Sequence, residues 1–228
     1  MTGFSAAAQN MVRDPLAISE YSRQALHILR DPSTFKWYVI PFLVMVIYIY
    51  HTQVAKKNWS VVFAGLALWG ADWFNEIING LFFYATQKAP IWGAPGGDTA
   101  YLLLIGLNIE ICFMFAILGI ATTVILPEDK SVKILGLPNR WFYGILFTTL
   151  SVIIEIVLNA LNALTWEYCW WTAKFPLFIW ILGYGWFYAI TYWVHDMKTV
   201  KAKAITVGTL LGLDVVCMVV FAGILGWI

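Results

Sequence analysis

Residues 59–84 read WSVVFAGLALWGADWFNEIINGLFFY, an apolar run interrupted by two acids, Asp72 and Glu76, and two amides, Asn75 and Asn79. A helix needs about 20 residues to cross the hydrocarbon core of a bilayer. This run is long enough and contains no Lys or Arg. A water-soluble fold has too little interior to hide such a segment together with others like it. The run therefore points to an all-α integral membrane protein, because only a helix of this kind satisfies its own backbone in lipid.

Five more apolar stretches flank it, at 37–53, 99–126, 141–165, 175–194 and 204–228. About six transmembrane helices are expected, joined by short connections into an antiparallel bundle. Composition agrees. The chain is 61% hydrophobic and 12% charged, against about 25% charged for a soluble domain. Residues 1–36 have no continuous apolar core and do not read as a signal peptide. There Leu16, Ile18, Tyr21, Leu26 and Leu29 fit a short amphipathic helix lying on the membrane surface. Two parts are expected: an interfacial segment, 1–36, and a single polytopic domain, 37–228.

Basic residues set the orientation. The first, third and fifth connections hold Lys56, Lys57, Lys130, Lys133, Arg140, Lys198, Lys201 and Lys203. The second, the fourth and the C-terminus hold only Lys88 and Lys174. The odd-numbered connections are therefore placed in the cytoplasm. Arg13, Arg23, Arg30 and Lys36 then fall outside, against the rule.

Several classes drop out. A net charge of +1 with no basic face argues against nucleic acid. Three cysteines without a C-x-x-C pair give neither a disulfide framework nor a usual zinc site. No Glu-x-x-His pair occurs, and His27, His51 and His195 lie outside the span interiors; no metal or other cofactor is expected. Nine of the thirteen tryptophans, among them Trp92, Trp166, Trp170 and Trp171, fall near span ends, where indoles favour the headgroup region. Residues 89–98 (APIWGAPGGD) form a turn-rich loop. Gly208 and Gly212 make a Gly-x-x-x-Gly pair suited to close packing, within the bundle or between copies.

The candidate site is built from acids inside the spans: Asp72, Glu76, Glu110, Glu155 and Asp214. Each costs at least about 2.5 kcal/mol near mid-membrane, so a role in function is the default reading. Asn79, Asn108, Asn159 and Asn162 are nearby partners. At about 1.5 Å per residue, Glu76, Glu110 and Glu155 all fall roughly 3–6 Å toward the outer side of mid-span. Asp72 and Asp214 fall near the midplane. Trp69, Asp72, Trp73, Glu76 and Asn79 recur at three- and four-residue spacing, as do Ser151, Glu155, Asn159 and Asn162. One polar site follows, with the five acids as catalytic groups. Trp69, Trp73 and the four amides would bind substrate. Crowded carboxyl groups in a dry pocket share protons, which suits acid–base work, and tryptophan faces attract cationic centres.

Residues 73–78 (WFNEII), 106–117 (GLNIEICFMFAI) and 176–180 (PLFIW) resemble the small integral-membrane terpene cyclases of meroterpenoid pathways. The resemblance implies a helical membrane fold and proton-initiated cyclisation of a polyprenyl substrate, with Glu76 as the acid. That family pairs its glutamate with a second acid near the last helix, a place that Asp214 fills by position only. Its Asn ahead of the Trp-Glu pair is missing here, where the order is Asp72, Trp73, Glu76.

The first expectation is a membrane enzyme performing a cyclisation, isomerisation or hydration on a lipid-soluble, isoprenoid-like substrate. A non-catalytic subunit of a membrane complex, or a homo-oligomer, is the alternative. A proton-coupled transporter or channel is the third.

Overall fold

The computed structural model describes residues 4–94 and 99–228; residues 95–98, the end of the Gly-Pro loop, lie outside it. Seven helices run in chain order among the described residues. These are α1 (Glu20–Ile28), α2 (Val39–Ala55), α3 (Trp59–Thr86), α4 (Ile109–Val124), α5 (Asn139–Ala160), α6 (Trp186–Asp196) and α7 (Val200–Cys217). A π-helical turn, Ile179–Gly185, leads into α6, and another, Met218–Ile224, extends α7. Three segments are long and apolar enough to cross a membrane: Trp59–Thr86, Asn139–Ala160 and Val200–Ile224. Helices α2 and α4 are apolar but shorter.

Helix α3 is the axis of the bundle, packed by α4, α6 and α7. Its small residues allow this. A Cβ on Gly119 of α4 would sit 2.8 Å from the Gly65 Cα, so these two backbones touch. A Cβ on Gly70 would meet Leu210 and Leu211 of α7 at 2.9 Å. Gly208 and Gly212 face outward into open space, so the Gly-x-x-x-Gly pair plays no part in packing this bundle.

The third apolar stretch departs from expectation. Residues 99–108 are not helical; they carry a hairpin of β1 (Leu102–Leu104) and β2 (Leu107–Asn108). Helix α4 starts only at Ile109, where the Asn108 side chain accepts from the Ile111 amide at 2.8 Å. A second hairpin, β3 (Lys133–Ile134) and β4 (Leu137–Pro138), fills the third connection. Leu135 (φ +50°) and Gly136 (φ +82°) take left-handed conformations at its tip, as the tight hairpin turn demands.

The N-terminal segment packs against the bundle. Ser19 caps α1, and Ala25, Leu26 and Leu29 bury against Phe83, Leu102 and Ile105. Two of its four basic residues, which opposed the charge rule, are tied into this contact. Arg13 donates to the Tyr84 and Ala85 carbonyls at the end of α3, and Arg30 donates to the Ile228 carbonyl. Ser19 reaches Glu167, so the N-terminal segment and the second and fourth connections gather at one end. At the opposite end Asp196 holds Arg140 through two bonds of 3.0 Å and Lys130 at 3.4 Å.

Candidate functional site: a carboxylate cavity

A cavity of about 40 Å³ lies between α3, α5 and the π turn ahead of α6. Asp72 and Glu76 reach it from successive turns of α3, and Glu155 from α5. All three are buried, at 3–5% exposure. Each carboxylate has a different setting. Glu76 accepts a bond of 2.7 Å from the Trp92 indole, while its second oxygen has no partner among the described residues. Glu155 accepts from the Trp166 indole at 3.1 Å and faces the Tyr184 hydroxyl. One Asp72 oxygen is also without a protein partner.

The walls are fixed by bonds that leave little freedom. Asn79 is fully buried; its oxygen accepts from the Ile91 amide at 2.7 Å and its nitrogen donates to the Trp92 carbonyl at 2.7 Å. Asn79 thereby clamps the second connection and aims Trp92 at Glu76. Trp92 stacks on Trp171 with ring centres 5.3 Å apart. Gly106, in the β1–β2 turn, presses directly on the acid: a Cβ there would lie 2.6 Å from Glu76 Oε2. Asn75 donates to the Leu182 carbonyl at 3.1 Å, inside the π turn. A π turn leaves carbonyls offset from their usual donors, and such turns recur at functional sites.

Asp214 of α7 is buried, and both its oxygens lack a partner among the described residues. It sits behind Asp72, near enough to act on it electrostatically, and Glu155 acts likewise on Glu76. The acids therefore form a series, Asp214, Asp72, Glu76 and Glu155, with only the last three lining the cavity.

The other expected site residues go elsewhere. Glu110 opens α4, which places it near the helix's positive end. It accepts from the Tyr38 hydroxyl, from Thr99 at 2.7 Å and from the Ala100 amide at 2.7 Å. Asn108 is the cap described above. Both were placed by counting from a helix beginning at 99, which does not exist. Asn159 donates to the Leu164 carbonyl at 3.0 Å, and the exposed Asn162 (φ +57°) ends α5. Trp69 and Trp73 turn away from the cavity. At 100° per residue their stripe on α3 is about 120° wide, and the tryptophans hold the margin opposite Asp72 and Asn79. Trp69 donates to Cys112 Sγ at 3.2 Å, and both rings pack with Leu107 and Ile228.

The aromatic walls come instead from Trp92, Trp171 and Tyr184. Trp92, Trp166 and Trp171 had read as interface anchors by their positions near span ends. Trp171 is 1% exposed, too deep for an anchor, and no spacing in the sequence marks it.

A family model matches residues 19–223. The chain belongs to an uncharacterized membrane protein family. A protein of Archaeoglobus fulgidus, also described as uncharacterized, is 53% identical over 210 residues, covering 92% of this chain and 99% of its own. A shorter uncharacterized protein of Archaeoglobus fulgidus is 43% identical over 53 residues, 23% of this chain and 95% of its own. No solved structure matches. These matches agree with the membrane character read from the sequence and carry no likeness to terpene cyclases.

Proposed function

We propose that this protein is a multi-pass membrane enzyme that performs acid–base chemistry on a lipid-soluble substrate. The observation that supports this best is an apolar groove whose lining shares three residues with the carboxylate cavity. That groove, about 430 Å³, shares Asn75, Trp92 and Trp171 with the cavity and continues over Phe74, Ile78, Ile181 and Trp186. Ile78, Ile181 and Leu182 beside it are exposed on the outer face of the bundle, which in a bilayer meets lipid. A cavity of about 40 Å³ admits only a group of about three water-sized units. The reading follows: an apolar chain lies in the groove and only its reactive end enters the cavity.

In this reading Glu76 supplies a proton to a terminal alkene or epoxide. The ring faces of Trp92 and Trp171 stabilise the cation that forms. Glu155, held by Trp166 and backed by Tyr184, removes a proton from the neighbouring carbon, giving isomerisation; attack of a second alkene of the chain on the cation before that proton loss gives ring closure, and capture by water, whose extra proton passes to Glu155, gives hydration. The basic odd-numbered connections are cytoplasmic, so the cavity lies toward the outer side.

The experiment is hydrogen exchange on the substrate. Purified protein is incubated in D2O with a fractionated isoprenoid lipid extract, and products are read by mass spectrometry. The proposal expects deuterium in a lipid-soluble alkene or its product. Proton flux into liposomes without any deuterium incorporation would favour the transporter.

A further inference from the structure

We propose that the end of the molecule carrying Arg140 and Asp196 binds one anionic phospholipid, with its phosphate in a polar cup and one acyl chain in an adjoining trough. The two spaces are distinct and meet at the same two residues. The cup, about 490 Å³, is lined by Lys130, Lys198 and His195 together with Arg140 and Asp196. The trough, about 540 Å³, runs from Arg140 and Asp196 between α5 and α6 over Ile145, Trp180 and Trp186. It exists because Gly144 and Ala189 leave the facing helices without bulk: a Cβ on Gly144 would find Tyr192 only at 3.8 Å.

Charge selects the headgroup. Lys130, Lys198 and Arg140 face two carboxylates in the cup, Glu128 and Asp196; Asp196 holds both Arg140 and Lys130, and the cup keeps one positive charge in excess. Lys203 adds a further positive charge from behind. It is buried, and its Nζ donates to the Val194 and His195 carbonyls. The N-terminus of α3 also opens here: Asn58 makes no side-chain cap, and Ser60 and Val61 of the first turn line the cup. Uncapped amides at a helix start favour a phosphate. Trp141 and Trp193, both largely exposed, flank the trough at the same end, the level at which indoles meet headgroups. A free phosphate would leave the trough without a purpose; a lipid uses both spaces.

Native mass spectrometry from mixed micelles of dioleoyl phosphatidylglycerol and dioleoyl phosphatidylcholine tests this. The wild-type chain should retain one phosphatidylglycerol in preference to phosphatidylcholine. Lys130→Gln, at an exposed side chain, should reduce that preference about fivefold, the effect of one lysine near an anionic headgroup. Gly144→Leu fills the trough, leaves the cup intact and should lower retention of both lipids. Circular dichroism and gel filtration establish that each variant is folded. Equal retention of the two lipids by the wild type, or unchanged retention in either folded variant, overturns the proposal.

Discussion

Asn79, Trp92 and Glu76 act as one unit, and none of the three is explained without the other two. A buried amide is costly unless all its hydrogen bonds are made, and Asn79 makes them to the loop that carries Trp92. Trp92 then spends its indole N–H on Glu76. At the other end of the molecule Asp196 illustrates a residue fixed by charge. Burial pushes its carboxyl up, but bonds from Arg140 and His195 and the charges of Arg140 and Lys130 outweigh this and hold it at about 2. An unfolded Asp titrates near about 3.9. Its folded value is depressed, so its contribution is complete above the unfolded value and is lost as pH falls toward 2. Thermal unfolding in detergent should therefore weaken between pH 4 and pH 2. Asp196→Asn should lower Tm at neutral pH and flatten that part of the profile. An unchanged slope in the variant would show that other carboxylates carry the effect.

At the scale of elements, helix packing separates two classes of glycine. Gly119→Ala forces a methyl group onto the Gly65 backbone at 2.8 Å; thermal or denaturant unfolding should show a loss of about 1–3 kcal/mol, the usual cost of overpacking. Gly208→Ala projects into open space and should leave the stability of the isolated chain unchanged. A reversal of these outcomes would mean that the Gly208 face, not the Gly119 face, is packed against a neighbouring helix. The sequence pattern alone revealed that all six apolar stretches contain helix, because hydropathy reports burial in lipid whatever the neighbours are. It did not reveal that 99–108 leaves the helix. Leu102–Leu104 are as apolar as any helical run, and the burial of Leu102 under the N-terminal segment is a tertiary fact. Asn108 just ahead of Glu110 was a legible cap signal, since a capping amide followed by an acid in the first turn marks a helix start. The cavity was half legible. Helical spacing puts Asp72 and Glu76 on one face of α3, and counting depth along the spans sets Glu155 at the height of Glu76. Trp171 and Tyr184 depend on a loop fold and a π turn that leave no periodic trace.

The whole molecule is polarised, with basic connections at one end and the N-terminal segment folded over the other. Cys169 is exposed at the latter end, in the fourth connection, whereas Cys112 is buried. In intact cells a membrane-impermeant maleimide should label Cys169, and a cysteine introduced at Ser131 should react only after the membrane is opened. The opposite pattern would invert the orientation and put the cavity on the cytoplasmic side.

The central claim is that Glu76 exchanges a proton with a lipid-soluble substrate. The most direct measurement is the rate of deuterium incorporation in D2O by wild-type protein and by Glu76→Gln, with Tm recorded for both. Gln keeps the shape and can still accept from Trp92, so Tm should stay close to that of the wild type. Deuterium incorporation should fall by about a hundredfold or more, the range for loss of a positioned acid or base. Equal incorporation by a folded Glu76→Gln protein would contradict the account and leave Glu76 as a packing residue.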